Sequence, residues 1–244
     1  MIEETKYRGH TIQVWDDDYA DNPREWGNLG TLALSDSAWA EEKIGDQEDF
    51  FKLLLDDEDY MLWVPEDQDY SAYDIDAEKA QRRIEEKYIV MPVYKYEHGG
   101  VAYNTGGFSC PWDSGQNGYI YISKDDARRE YSVKRISAKT LAKIHGVLEA
   151  EVKTFSQAAN GEVYGFTILD KDGDTIDSCG GCYGYDDGEG YMMQEARSCI
   201  DYAIKKAWKA RIATLKTFIK NSVPLNIRQE EFEPILLKGE GVTS

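Results

Sequence analysis

The run Tyr88-Ile89-Val90-Met91-Pro92-Val93-Tyr94-Lys95-Tyr96, followed by His98-Gly99-Gly100 and Val101-Ala102-Tyr103-Asn104-Thr105, decides the fold class of this 244-residue chain. β-Branched and aromatic residues dominate both runs, and the paired glycines permit a tight reversal, which predicts an antiparallel hairpin over 89–105. Pro92 has no N–H to give to a ladder, so an edge position or a bulge is expected there. A second hairpin is expected over 162–179, with Asp170-Lys171-Asp172-Gly173-Asp174 as its turn. Helical spacing then appears twice: Leu141, Ile144, Leu148, Val152 and Phe155 within 138–157, and Ala196, Ile200, Ala203, Ala207, Ile212, Leu215 and Ile219 within 191–221. Antiparallel hairpins packed by amphipathic helices define an α+β fold.

Upstream, residues 7–15 alternate as one strand that Asp16-Asp17-Asp18 stops, and Gly30–Leu34 reads as another short strand. A helix is expected over 47–57 with Asp46 at its start, and a second over 77–87. Ser123 caps a short helix to about residue 131. The pair Gly180-Gly181 and the stretch 184–190 read as loop. No repeat or Pro/Ser-rich linker interrupts the sequence, so a single α+β unit over 1–244 is expected, with lobes 1–88 and 89–244.

Between the hairpin and Tyr119–Ser123 lies Gly106-Gly107-Phe108-Ser109-Cys110-Pro111-Trp112-Asp113-Ser114-Gly115-Gln116-Asn117-Gly118. This nearly uncharged, glycine-shaped loop admits two readings. In one, Cys110 attacks as a thiol nucleophile, His98 takes its proton and Asp113 orients the imidazole. In the other, Trp112 anchors the loop in the core while Asp113 and Ser114 cap backbone groups. The glycines match no phosphate-binding loop.

The net charge is −18, of which −16 falls in residues 1–90 and −2 in the remainder. Such a field repels nucleic acid and anionic membranes, so neither is expected as a direct partner. A basic protein surface, including one that holds DNA, is attracted to it. The expected partner-binding carboxylates are Asp16, Asp17, Asp18, Asp56, Asp57, Glu58, Asp59, Glu66, Asp67, Asp69, Asp74 and Asp76. Tyr60, Trp63, Tyr70 and Tyr73 are interleaved among them and suit the stacking faces of a polynucleotide mimic.

Four cysteines in a chain of this length predict reduced thiols rather than a disulfide framework. Cys179-Gly180-Gly181-Cys182 has chelating or redox spacing, but two further ligands at diagnostic positions are lacking. Cys179 and Cys182 are therefore only the weaker metal reading, and no cofactor is expected. Cys199 suits a small core residue of the long helix. Asp170-x-Asp172-x-Asp174 begins like a Ca²⁺ loop, yet Thr175 and Gly181 stand where a glycine and an acid are required. There is no long apolar run and no basic-then-apolar start, which predicts a protein of the host cytosol.

Pro92-Val93-Tyr94-Lys95-Tyr96-x-His98-x-Gly100, Phe108-Ser109-Cys110-Pro111-Trp112-Asp113-Ser114-Gly115-Gln116-x-Gly118-Tyr119-Ile120-Tyr121 and Gly165-Phe166…Asp177-Ser178-Cys179 together resemble an uncharacterised family encoded by bacteriophages, plasmids and other mobile elements. The likeness runs over roughly residues 8–205 and is most specific at Cys110–Gln116. It implies a genomic setting and transfers no residue role. Mobile elements encode small acidic proteins that occupy the DNA-binding clefts of host defence enzymes. The function expected is therefore a non-enzymatic, antirestriction-like inhibitor acting by DNA mimicry. The alternatives are a Cys110-dependent enzyme and an acidic accessory protein without inhibitory role.

Overall fold

A computed structural model describes residues 1–19, 21–55, 77–185, 190–222 and 224. Two compact units emerge. The larger holds Trp15–Gly165 and Gly180–Tyr185; the smaller holds Met1–Val14, Phe166–Cys179 and the long C-terminal helix. Five α-helices and two mostly antiparallel sheets make up the described residues, an α+β fold. No helix among them is long and apolar enough to cross a membrane.

In the larger unit a five-stranded sheet runs in the order β4 (Glu42–Lys43), β3 (Thr31–Leu34), β7 (Ser114–Ser123), β5 (Tyr88–Glu97), β6 (Val101–Asn104). Only the β3–β4 pair is parallel. Strand periodicity sends alternate side chains to opposite faces, and both faces are covered. Leu32, Leu34, Ile89, Val93, Tyr103, Ile120 and Ile122 point to one face and pack on Ile144, Leu148, Val152 and Phe155 of α4 (Ala138–Ala159). Ala33, Val90, Tyr119 and Tyr121 point to the other. They meet Phe50, Phe51 and Leu54 of α1 (Gln47–Leu54) and Ala80 and Ile84 of α2 (Ala77–Lys87). Phe50 stacks on Tyr119 with centroids 3.9 Å apart.

Local capping fixes where the helices begin. Asp46 accepts from the Asp49 N–H at α1, Ser123 from the Asp126 N–H at α3 (Lys124–Glu130), and Ser137 from the Thr140 N–H at α4. Each satisfies one of the donors a helix start leaves orphaned. The side chains of α4 also cover the outer strand of the sheet: Ser156 Oγ accepts from the Tyr103 N–H and Asn160 Oδ1 from the Val101 N–H. An edge that would otherwise be open to pairing is thereby closed.

Two expectations change in these elements, and the one for Pro92 is met by its second alternative. Residues 7–15 are not one strand; β1 (Glu3–Tyr7) and β2 (His10–Asp16) form a hairpin turned at Arg8-Gly9, both at positive φ (48° and 79°). That two-residue turn needs left-handed backbone at both positions, and arginine does not advertise it. Strand β7 starts at Ser114, so the second half of the glycine-rich stretch is ladder rather than loop. Pro92 sits in a strand flanked on both sides, but β6 pairs only with Tyr94–Glu97 and a register shift falls at Val93/Tyr94. The proline thus occupies a stretch with an open flank, beside the bulge that its missing donor predicted.

The four-stranded sheet has the order β1-β2-β8-β9, with β8 at Val163–Leu169 and β9 at Thr175–Tyr183. In the smaller unit Ile12, Val14, Phe166 and Ile168 are buried, as are Met192, Met193, Ala196 and Ile200 of α5 (Tyr191–Ser222). Asp170 Oδ1 accepts from the N–H groups of Asp172 and Asp174, both at 2.9 Å, which closes the β8–β9 turn as the hairpin reading required.

Burial pushes the Tyr121 phenol up to about 12, and the Glu42 carboxylate adds to it; burial raises Tyr103 and Tyr119 as well. A phenol whose folded pKa lies above its unfolded value of about 10 contributes stability that is complete below that pH and lost as the pH climbs through the folded value. Absorbance titration at alkaline pH should therefore resolve a late class of tyrosines, one of which disappears in Tyr121→Phe. The assignment fails if all 17 tyrosines ionise together at the ordinary value while circular dichroism remains native.

Candidate partner-binding surface

Of the twelve carboxylates expected to meet a partner, Asp16, Asp17 and Asp18 lie among the described residues. Asp56, Asp57, Glu58, Asp59, Glu66, Asp67, Asp69, Asp74 and Asp76 lie outside them, as do Tyr60, Trp63, Tyr70 and Tyr73. The three described acids belong to a surface of the larger unit that carries Asp21, Glu25, Tyr19, Trp26, Tyr164 and Tyr183 as well.

Asp17 builds this surface rather than merely charging it. Its Oδ2 accepts the Gly181 N–H at 2.8 Å and its Oδ1 the Tyr19 N–H at 3.1 Å, which pins the chain after β2 onto the end of β9. A Cβ at Gly180 would lie 2.5 Å from Asp17 Oδ2 and 3.2 Å from the Trp15 ring, and Gly181 has φ +69°. The two glycines between Cys179 and Cys182 therefore serve the approach of Asp17, and they stay within strand β9 instead of forming a loop. Tyr183 Oη donates to the Asp21 carbonyl at 2.5 Å, and its ring meets Trp26 edge-on at 5.1 Å. Burial raises the phenols of Tyr183 and Tyr164; Asp21 and Asp17 reinforce the first, Glu162 and Asp16 the second.

Tyr19, Trp26, Asp16, Asp18, Asp21 and Glu25 are exposed. The one cation in this stretch of sequence, Arg24, turns inward: its side chain is 2% exposed and engages Glu41 and Glu151. What remains at the surface is carboxylate and aromatic ring, a pattern suited to a cationic partner. The structural acceptor at Asp17, the internal cation and the contributions of Asp21, Trp26 and Tyr183 were not read from the sequence. The density of Asp, Tyr and Trp over 15–26 was the available signal.

The loop at 105–113 folds over the outer face of β5 and β6. Asn104 Oδ1 accepts the Gly107 N–H at 2.7 Å, Gly107 has φ +79° against the Tyr94 ring, and Phe108 lies 5.5 Å from Tyr96. Ser114 Oγ donates to the Cys110 carbonyl, and the Glu97 N–H to the Asp113 carbonyl. Trp112 is 91% exposed and anchors nothing in the core, contrary to expectation; Phe108 and the Asn104 side chain hold the loop instead.

Cys110, Asp113 and His98 do come together. The thiol lies 3.4 Å from Asp113 Oδ2, and His98 Nδ1 lies 3.5 Å from the same oxygen. Asp113 Oδ2 is thus shared by the thiol and the imidazole. Nucleophilic catalysis by cysteine needs the imidazole to take the thiol proton directly.

Each of the four cysteines carries a thiol. Burial raises Cys199, and Asp177 adds to it, but the residue is only half-buried on α5 and is not the core residue expected there. Cys179 and Cys182 lie on β9, and no group of three or more His, Cys, Asp or Glu among the described residues is arranged to hold a metal ion. No family model, curated protein or solved structure matches the chain.

Proposed function

We propose that this is a cytoplasmic protein of a mobile element that inhibits a host DNA-binding or defence system by presenting carboxylates and aromatic rings to a basic cleft. The observation that carries the reading is the surface at Asp16, Asp18, Asp21 and Glu25, with Tyr19 and Trp26 exposed beside them and Arg24 withdrawn. A chain of −18 gains its interactions with such a partner as long-range attraction, which sets encounter rate and salt dependence more than contact area does. Nucleic acid and membranes are not partners in this reading, and no catalytic step is involved.

The test is capture of partners from host lysate at low salt, followed by titration of the purified pair. Nucleases or restriction-like enzymes should bind, weaken steeply as salt rises, and lose about tenfold in affinity when Asp16→Asn, Asp18→Asn, Asp21→Asn and Glu25→Gln are combined. Capture of no DNA-processing enzyme, or an affinity indifferent to salt, sinks the proposal. The proximity of Cys110, Asp113 and His98 favours one second reading, a thiol enzyme; Cys110→Ser would abolish its activity and leave inhibition by mimicry intact.

A further inference from the structure

The chain's acidity stops abruptly in α5. From residue 202 to residue 222 there is no Asp or Glu, while Lys205, Lys206, Lys209, Arg211, Lys216 and Lys220 all fall in that span. The first three turns of the helix bury Met192, Met193, Ala196 and Ile200; after Ile204 nearly every residue is exposed. Among these are large apolar side chains: Trp208 at 60% exposure, Ile212 at 39%, Leu215 at 50% and Phe218 at 62%.

Trp208, Ile212, Leu215 and Ile219 follow each other at intervals of four, three and four, the alternation that places side chains along a helix–helix seam. In heptad terms Ile212 and Ile219 take the a positions and Trp208 and Leu215 the d positions. Lys209 and Lys216 then flank the seam at e, and Arg211 and Phe218 at g. At about 100° per residue this seam points roughly a third of a turn away from the face that the first half of the helix buries. It is a second stripe, not the continuation of the first.

We infer that this stripe is a docking face for an acidic amphipathic helix of a partner protein, with Ile or Leu along its seam and Glu or Asp at its flanks. Charge decides the occupant. A second copy paired in parallel sets Arg211 at g against Lys216 at e, and an antiparallel copy sets Lys209 against Lys216, like charges in both cases. Nucleic acid would use the lysines but leave Trp208, Ile212, Leu215 and Phe218 in water. An acidic helix satisfies the seam and both flanks together. Two heptads make a short seam, so micromolar rather than nanomolar affinity is expected.

The test uses the full-length protein and a fluorescent synthetic peptide of about four heptads with Ile at a, Leu at d and Glu at e and g. Its control carries Lys at e and g. The Glu peptide should bind at least about tenfold more tightly than the Lys peptide, and weaken as salt rises from about 0.1 M to about 0.5 M. Leu215→Asp, at an exposed position where folding is not at stake, should abolish binding. Lys209→Glu with Lys216→Glu should invert the preference toward the Lys peptide, which a purely structural role of these residues would not do. The inference is overturned if neither peptide binds, if both bind alike, or if the double charge variant keeps the original preference. Sedimentation showing a dimer that Leu215→Asp dissolves, or binding of anionic vesicles or duplex DNA in place of the Glu peptide, also overturns it.

Discussion

Replacing Arg24 by alanine is expected to remove about 3–5 kcal/mol of stability, a large part of the roughly 5–15 kcal/mol that holds a domain together. Arg24 Nε donates to both Glu41 oxygens at 3.0 Å, Nη2 to Glu41 Oε1 and to the Gly30 carbonyl at 2.6 Å, and Nη1 to Glu151 Oε2 at 3.1 Å. Glu151 is itself 12% exposed and takes the N–H groups of Leu29 and Gly30, while Glu41 takes that of Leu32. Deleting the guanidinium leaves a nearly buried carboxylate without its cation, and the loss compares a satisfied cluster with a broken one. The thermal midpoint should fall by roughly 6–20 °C. Arg24→Lys should fall between, since a point charge cannot fork across Glu41, Glu151 and Gly30 at once. A loss under about 1 kcal/mol for Arg24→Ala would show that water replaces the guanidinium at little cost.

Gly118→Ala is expected to cost about 3 kcal/mol, at the upper end of overpacking penalties. A Cβ on Gly118 would stand 2.0 Å from the Ala33 carbonyl oxygen and 3.0 Å from the Ala33 carbon and Leu34 Cα. Those are backbone atoms of the neighbouring strand, so relief requires β3 to move, and β3 carries Leu32, Ala33 and Leu34 into the two cores. The φ of Gly118 is not positive; the glycine is there for space. Gly115, three residues earlier in the same strand, has nothing within 4 Å, and Gly115→Ala should stay within about 0.5 kcal/mol of the parent. Equal destabilisation of the two variants by chemical denaturation would refute the packing argument.

The inward turn of Arg24 also bears on the proposed inhibitor. A cation in the middle of residues 16–26 would weaken an acidic surface, and its internal pairing leaves the exposed charges of that stretch all negative. Stability and surface charge are set by the same side chain, so Arg24→Ala is a poor probe of partner binding, and the four neutralised carboxylates are the better one.

Sequence alone determined what depends on neighbours a few residues apart. The caps at Asp46, Ser123 and Ser137, the apolar stripe of α4, the turns at Gly99 and Gly173 and the α+β class all follow from local hydrogen bonding and from periods of 2 and 3.6. The concentration of charge in residues 1–90 was equally plain. Only the tertiary structure decided what depends on approach between distant segments. Strand order put Pro92 beside a bulge in an inner strand and made Gly118 indispensable; Asp17 drew Gly180 and Gly181 into β9; Glu41 and Glu151 drew Arg24 inside. Helical spacing suggested burial for Ile212 and Leu215 as part of one apolar face of α5, and one reading buried Trp112, yet all three side chains are exposed. Hydrophobicity favours a buried environment, but whether one exists at a given position depends on what the rest of the chain folds against it.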